Sequence, residues 1–94
     1  PSAPKNLTAT VVSPTQINLT WTDTSDNEDG FELECIAGEG AEWKPVMGRT
    51  PANWPSFTDY GLDPGRTYAY RVRAFNTAGE SAWSNEATAT TGDR

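Results

Sequence analysis

Polar and apolar residues alternate along five stretches of the chain, and each stretch predicts a β-strand with one buried and one solvent-facing side. In one of them, Ile17, Leu19 and Trp21 share the predicted buried face. Threonine fills many of the polar positions, which suits strands because β-branched side chains pack well on a pleated surface. The five stretches cover residues 6–11, 16–22, 31–35, 68–74 and 86–90.

Turn-forming residues separate these stretches, and two weaker strands are predicted around Trp43–Met47 and Ser56–Tyr60. Pro45 lacks a backbone donor and Lys44 carries a charge, so the first of these two strands suits a sheet edge. No long stretch has helical spacing. Seven short strands at roughly ten-residue intervals predict an all-β fold, a seven-stranded antiparallel immunoglobulin-like β-sandwich.

The predicted core takes side chains from both sheets and needs no disulfide at this chain length. Cys35 is the only cysteine, and its inward position predicts a small buried side chain rather than a reactive thiol. The other core candidates are Leu7, Ile17, Leu19, Trp21, Phe31, Leu33, Phe57, Leu62, Tyr70 and Val72.

Length and composition narrow the function. The 94 residues predict a single domain over residues 1–94, with a core of about 4–91 and short polar tails. A net charge of -6 argues against a nucleic-acid partner, because an acidic surface repels phosphates. No apolar run approaches the ~18 residues of a membrane span, so we expect no membrane contact. We also expect a monomer, and the start at Pro1 instead of Met suggests a mature segment or an excised fragment.

The chemistry available to the chain is limited as well. It has no histidine, which excludes the Ser-His-Asp and Cys-His nucleophile systems, and with one cysteine it cannot form a Cys/His zinc site. We therefore expect no enzyme activity and no cofactor.

Four segments carry motifs of one known domain family: Ala3–Ala9, Leu62–Tyr68, Tyr70–Asn76 and Gly79–Ser81. Together they resemble the fibronectin type III domain along residues 4–91. The first segment resembles the first strand of that family, and the second resembles the stretch that precedes its sixth strand. The third resembles the sixth strand itself, and the fourth resembles the turn that follows.

This resemblance implies structural roles for three residues. Trp21 takes the place of the buried second-strand tryptophan, and Leu62 is expected to plug the core. The hydroxyl of Tyr68 is expected to anchor to backbone a few residues upstream, as in a tyrosine corner. The segments Trp21–Asp23 and Asn27–Glu34 resemble the bacterial members of the family in particular.

The bacterial resemblance implies a function. Such modules sit between the catalytic and carbohydrate-binding domains of secreted polysaccharide hydrolases. The chain is then expected to be a non-catalytic accessory or spacer module of an extracellular multidomain protein, a glycoside hydrolase, with the neighbouring domains of the same polypeptide as its partners. Two alternatives are open: a module that binds polysaccharide or protein, and an excised or engineered binding scaffold, because this fold tolerates loop variation.

Three tryptophans are candidates for contact with a ligand or a neighbouring domain. Trp43, Trp54 and Trp83 fall near an edge strand, in a loop and at the start of the last predicted strand. Exposed aromatic rings can stack on sugars or act as binding hot spots, but they can equally cover the rim of a core. Because the three come from different segments, the sequence does not imply a single flat platform.

Carboxylates in the loop 23–30 are weak candidates for a metal. Asp23, Asp26, Glu28 and Asp29 supply oxygen ligands of the kind that calcium takes, but their spacing does not match the helix-flanked calcium loop. A solvated turn whose side chains cap their own backbone is the simpler interpretation, and we expect no metal.

The glutamates of the third strand raise the question of a glycosidase pair. Glu32 and Glu34 share one face, but Arg71 and Arg73 of the predicted neighbouring strand share it too. Opposite charges across paired strands explain the pattern without catalysis. We expect these pairs to face solvent.

Overall fold

The computed structural model describes residues 2–24, 28–37, 42–51 and 56–92. Within these residues the chain forms eight strands and no helix. The described residues therefore contain no helix that could cross a membrane. The strands are β1 (Lys5–Ser13), β2 (Gln16–Thr22), β3 (Gly30–Ala37), β4 (Lys44–Pro51), β5 (Ser56–Asp59), β6 (Thr67–Asn76), β7 (Gly79–Glu80) and β8 (Ala87–Thr90).

The strands form two antiparallel sheets that pack face to face. The first sheet has the order β1-β2-β5, and the second runs β4-β3-β6, with β7 and β8 both on the far side of β6. This arrangement confirms the predicted β-sandwich, and it confirms β4 as an edge strand.

The last strand differs from the prediction. The short strand β7 pairs with residues 75–76 of β6, and β8 pairs with residues 67–70. The two therefore occupy one strand position that is interrupted over residues 81–86. Trp83, expected at the start of the last strand, lies inside this interruption.

The core confirms the period-two pattern. Trp21 is 4% exposed and meets Phe31 in an edge-to-face contact, with ring centroids 5.4 Å apart. Phe57 and Leu62 are only partly buried, because they pack against the margin of the core. The buried apolar residues are Leu7, Ile17, Leu19, Trp21, Phe31, Leu33, Tyr68, Tyr70, Val72, Ala74 and Ala87.

A tyrosine corner ties the crossover between the sheets to the body of the domain. The hydroxyl of Tyr68 accepts a hydrogen bond from the backbone N–H of Asp63 at 2.9 Å, as expected. Leu62 packs against the core beside it, and its N–H donates to the carbonyl of Thr15 at 3.0 Å. Gly61 and Gly65 flank this segment with φ angles of 71° and 69°, which residues other than glycine rarely adopt.

The two described ends of the chain lie at opposite poles of the sandwich. At the entry pole, the Thr24 hydroxyl after β2 donates to the carbonyl of Ala3 before β1. At the exit pole, beside the β1–β2 turn, the Thr91 hydroxyl donates to the carbonyl of Asp63 at 2.6 Å. The N–H of Gly65 donates to the carbonyl of Gly92 at 2.9 Å. An odd number of strand positions predicts this geometry, because each strand crosses the sandwich once.

Candidate interaction surface

Two ion pairs cross from β3 to β6 on the outer face of the larger sheet. Register places Glu32 opposite Arg73 and Glu34 opposite Arg71. The Nε of Arg73 donates to Glu32 Oε1 at 2.9 Å, and the Nε of Arg71 donates to Glu34 Oε1 at 3.0 Å. The predicted pairing is confirmed, and it explains the acidic pair without catalysis.

The expectation that these pairs face solvent is wrong. The side chains of Arg71 and Arg73 are 24% and 28% exposed, and both glutamate side chains are 22% exposed. The cause is that two tryptophans, from other segments of the chain, cover these side chains.

Tryptophan rings stack on both arginines. The guanidinium carbon of Arg71 lies 4.3 Å from a ring centroid of Trp43 and 4.3 Å from one of Trp83. That of Arg73 lies 4.4 Å from a ring centroid of Trp83. We call Trp43, Arg71, Trp83 and Arg73 the Trp–Arg stack. Cation–π contacts of this kind contribute ~0.5–1 kcal/mol each at exposed sites and more when water is excluded.

Two serines place Trp83 in the stack. The N–H of Ser81 donates to the carbonyl of Ala74 at 2.8 Å, while its hydroxyl accepts from the Ala74 N–H at 2.9 Å. Ser84 forms the same reciprocal pair with Val72, at 2.8 and 3.1 Å. The two serine hydroxyls replace backbone carbonyls as acceptors. The N–H groups of Val72 and Ala74 in β6 therefore stay hydrogen-bonded, although the segment 81–86 does not pair as a strand.

A further side chain completes the backbone pairing of β1. The Oδ1 of Asn85 accepts from the Leu7 N–H at 2.9 Å, and its Nδ2 donates to the Leu7 carbonyl at 3.0 Å. The period-two pattern does not single out Ser81, Ser84 or Asn85. The available signal was the placement of polar residues around Trp83, opposite a strand with alternating arginines.

The remaining candidates do not come together. Trp54 and Asp26 lie outside the described residues. Glu28 is buried, whereas Asp29 is exposed and its N–H donates to the carbonyl of Phe75 at 2.7 Å. Over the described parts of the chain, no group of three or more His, Cys, Asp or Glu side chains is placed to hold a metal ion.

A polar cluster lies at a cleft that residues of the edge strands β4 and β5 line. The Tyr70 hydroxyl donates to Asp59 Oδ2 at 2.9 Å, and Cys35 lies beside it at a cleft of about 280 Å³ that Val46 and Arg66 also line. Burial raises the pKa of Cys35 to about 11, so the thiol stays protonated near neutral pH. Burial also raises the pKa of Asp59 above its usual range. Cys35 packs against the core as predicted, but it is half-buried rather than fully buried.

Known proteins share this architecture. The family model described as "Fibronectin type III domain" matches residues 2–90. Among solved structures, domains A168–A170 from titin superpose with a TM-score of 0.85 at 28% identity, covering 98% of this chain and 32% of that one.

Curated relatives come from bacteria and animals. The chain is 38% identical over 94 residues to an alpha-amylase of Niallia circulans, covering 97% of this chain and 7% of the relative. It is 33% identical to chitinase C of Streptomyces lividans, covering 86% and 12%. It is 31% identical to the striated-muscle M-protein of Gallus gallus, covering 95% and 6%. The chain thus spans only a small part of the proteins that it matches.

Proposed function

The chain belongs to the fibronectin type III family, and we propose that it is a non-catalytic accessory and spacer module of a larger extracellular protein, a bacterial polysaccharide-degrading enzyme. The likeness to an alpha-amylase and a chitinase supports this class of parent protein. On this proposal residues 1–94 act as one monomeric module whose partners are the neighbouring domains of the same polypeptide.

The observation that carries the proposal is the position of the chain ends. Ala3 is held at the entry pole and Gly92 at the exit pole. The described chain extends 41 Å along its longest axis and 25 and 19 Å along the others. A module of this shape, joined at its two poles, holds its neighbours apart and in line.

The Trp–Arg stack supports a second candidate function, the binding of a partner on the outer face of the larger sheet. Two guanidinium groups lie over the rings of Trp83, and one lies over those of Trp43. Sugar stacking needs a free ring face, and these contacts compete for it. The geometry therefore favours a protein surface over a polysaccharide as the partner of the stack.

The spacer function is tested in the parent polypeptide. The module is replaced by a flexible Gly/Ser linker of equal span, and hydrolysis of soluble and insoluble polysaccharide is measured. We expect a several-fold loss on the insoluble substrate and no change on the soluble one. In the control, another module of the same fold replaces this one in the parent polypeptide. We expect this control to hydrolyse both substrates as the parent does.

Two results would count against the spacer function. One is a linker variant that hydrolyses insoluble substrate as well as the parent does. The other is sedimentation of the isolated chain with insoluble polysaccharide, abolished by Trp43→Ala, which would favour a polysaccharide-binding module over both the spacer function and a protein partner of the stack.

A further inference from the structure

We propose that the ring of Tyr60, on the outer face of the smaller sheet, stacks on a pyranose ring of a neutral polysaccharide. The side chains of Gln16, Asn18 and Thr58 supply the polar contacts beside it. We call these four residues the Tyr60 cluster. The inference rests on the proposed function, because it names the surface through which the module touches the polysaccharide that its parent enzyme degrades.

The Tyr60 cluster lies on the outer face because its neighbours in sequence point inward. Ile17 and Leu19 of β2 are fully buried in the core. In β5, Phe57 packs against the core, and Asp59 accepts a hydrogen bond from the hydroxyl of the buried Tyr70. Since side chains alternate between the two faces of a strand, all four members of the cluster point away from the core.

Strand pairing brings the members of the cluster side by side. Asn18 of β2 pairs with Thr58 of β5. The alignment continues past the end of β5, because the N–H of Leu62 donates to the carbonyl of Thr15 at 3.0 Å. It therefore places the other two members opposite each other. Side chains in such a set lie about 5 Å apart across the strands and about 7 Å apart along them, which is the footprint of one or two pyranose rings.

The ring of Tyr60 is free to stack on a ligand. Tyr60 is 65% exposed, and among the described residues neither a cation nor a second aromatic ring lies against it. Trp43 and Trp83, by contrast, have guanidinium groups over their rings. Because tyrosine joins an apolar ring face to a polar hydroxyl, it suits a partner that also presents both kinds of surface, as a sugar ring does.

The polar groups beside the ring are uncharged. The Thr58 hydroxyl donates to Asn18 Oδ1 at 3.0 Å. Within the described residues the Asn18 side chain bonds through Oδ1 alone, so its Nδ2 is left to donate to a sugar hydroxyl, and the Thr58 oxygen is left to accept from one. A net charge of -6 disfavours an acidic polysaccharide, whereas the uncharged cluster binds a neutral one without desolvating a charge.

The size of the cluster favours a polysaccharide over a protein. One exposed ring with three polar neighbours presents far less than the ~1,200 Å² that a stable complex between separate proteins buries. A weak contact suffices when other domains of the parent already hold the polysaccharide, because the tether raises the effective concentration to about the millimolar range. The isolated chain is therefore expected to bind sugar weakly.

The test is an NMR titration of the chain with maltopentaose, cellopentaose and chitopentaose, and with pentagalacturonate as an acidic probe. We expect at least one neutral sugar to shift the amide signals of the Tyr60 cluster, with half-saturation in about the millimolar range, and the acidic sugar to shift none.

Variants of the cluster separate stacking from polar contact, and each is first shown to keep the amide dispersion of the folded chain. Tyr60→Ala should weaken binding at least about tenfold, whereas Tyr60→Phe keeps the ring and should stay within about threefold of the parent chain. Asn18→Asp keeps the acceptor for the Thr58 hydroxyl and removes the Nδ2 donor, so it should weaken binding about threefold or more. The control, Thr88→Ala at an exposed position of the larger sheet, should bind as the parent chain does.

The proposal is overturned if none of the three neutral sugars shifts the cluster, or if Tyr60→Ala binds as tightly as the parent chain. Binding that Trp43→Ala removes and Tyr60→Ala keeps would assign the sugar to the Trp–Arg stack and overturn it too. If no sugar binds while linker replacement still lowers hydrolysis of the insoluble substrate, the spacer function stands and the sugar-binding subsite alone is rejected.

Discussion

Two nitrogens of the Arg71 guanidinium bind one oxygen of Glu34. Nε and Nη2 lie 3.0 and 2.5 Å from Glu34 Oε1, across the register pair that joins β3 to β6. The contact fixes the plane of the guanidinium, which is the group that Trp43 and Trp83 cover. The ion pair and the aromatic contacts therefore form one unit.

Removing both arginines of the stack is expected to destabilise the domain measurably. For exposed pairs, Arg71→Gln with Arg73→Gln would cost ~0–1 kcal/mol. The structure adds three cation–π contacts, so we expect a loss of roughly 1–3 kcal/mol in the free energy of unfolding. Urea denaturation measures it.

Arg66→Gln is the matched control, because the ion pair of Arg66 with Asp63 is largely exposed. It should change stability by less than about 0.5 kcal/mol. A double variant no less stable than this control would show that the stack contributes nothing.

Truncating the core tryptophan should have a larger effect. Trp21 is 4% exposed and touches Phe31, so Trp21→Ala is expected to cost about 3–5 kcal/mol through lost burial and a cavity. Trp43→Ala, on the outer face, should cost about 1 kcal/mol. Chemical denaturation of both variants checks the order, and equal losses would contradict the assigned core.

The local part of this structure follows from the sequence. Side chains alternate between the two faces of a strand. This alternation predicts that Trp21 lies in the core and that Glu34 and Arg71 share one outer face. The cover over Arg71 could not be predicted in the same way. The position of Trp83 requires the Ser84 hydroxyl to replace a backbone carbonyl as the acceptor for β6. A period of two describes only strands whose backbone hydrogen bonds are unbroken, so it does not predict this position.

The half-buried carboxyl of Asp59 predicts a specific pH dependence. Its pKa in the folded state is raised by burial, so the folded protein holds the proton more tightly than the unfolded chain. The unfavourable contribution of Asp59 therefore grows as the pH rises from the unfolded pKa, about 3.9, through the folded one. Asp59→Asn keeps an acceptor for the Tyr70 hydroxyl and removes the charge.

The expected result is a gain in stability from Asp59→Asn that is larger at pH 7 than at pH 4. Urea denaturation at both pH values measures the difference. Glu86→Gln, which removes a charge at an exposed position, serves as the control. A gain that is larger at pH 4 would reverse the sign and contradict the assigned environment.

Calcium should leave the stability of the chain unchanged. Asp29 is exposed, and in the described residues the carboxylates do not assemble a ligand set. Thermal melts with calcium and with chelator are therefore expected to coincide. A native-state ligand stabilises by mass action, so a reproducible rise of several degrees with calcium, lost in Asp23→Asn, would establish a site in the loop 23–30.

The side chain of Asn85 is expected to hold the first strand to the last strand position. The pairing of β1 with β2 shifts between Lys5 and Thr8, and Asn6 adopts a φ of 57° within that irregularity. Leu7, in the same stretch, places its side chain in the core and bonds its backbone N–H and carbonyl to Asn85. Asn85→Ala leaves both backbone groups without that partner.

This loss should cost about 1–3 kcal/mol in chemical denaturation, the usual penalty for stranding partly buried polar groups. It should also lower the force needed to unfold the domain when it is pulled through its ends, because those ends lie at opposite poles and tension shears β1 past its neighbours. Asn85→Asp keeps the acceptor for the Leu7 N–H and removes the donor, so both its stability and its unfolding force should fall between those of the parent chain and Asn85→Ala. Single-molecule pulling of tandem copies measures the force. If Asn85→Ala unfolds at the parent force and within about 0.5 kcal/mol of the parent stability, the bridge to Leu7 does not hold the first strand in place.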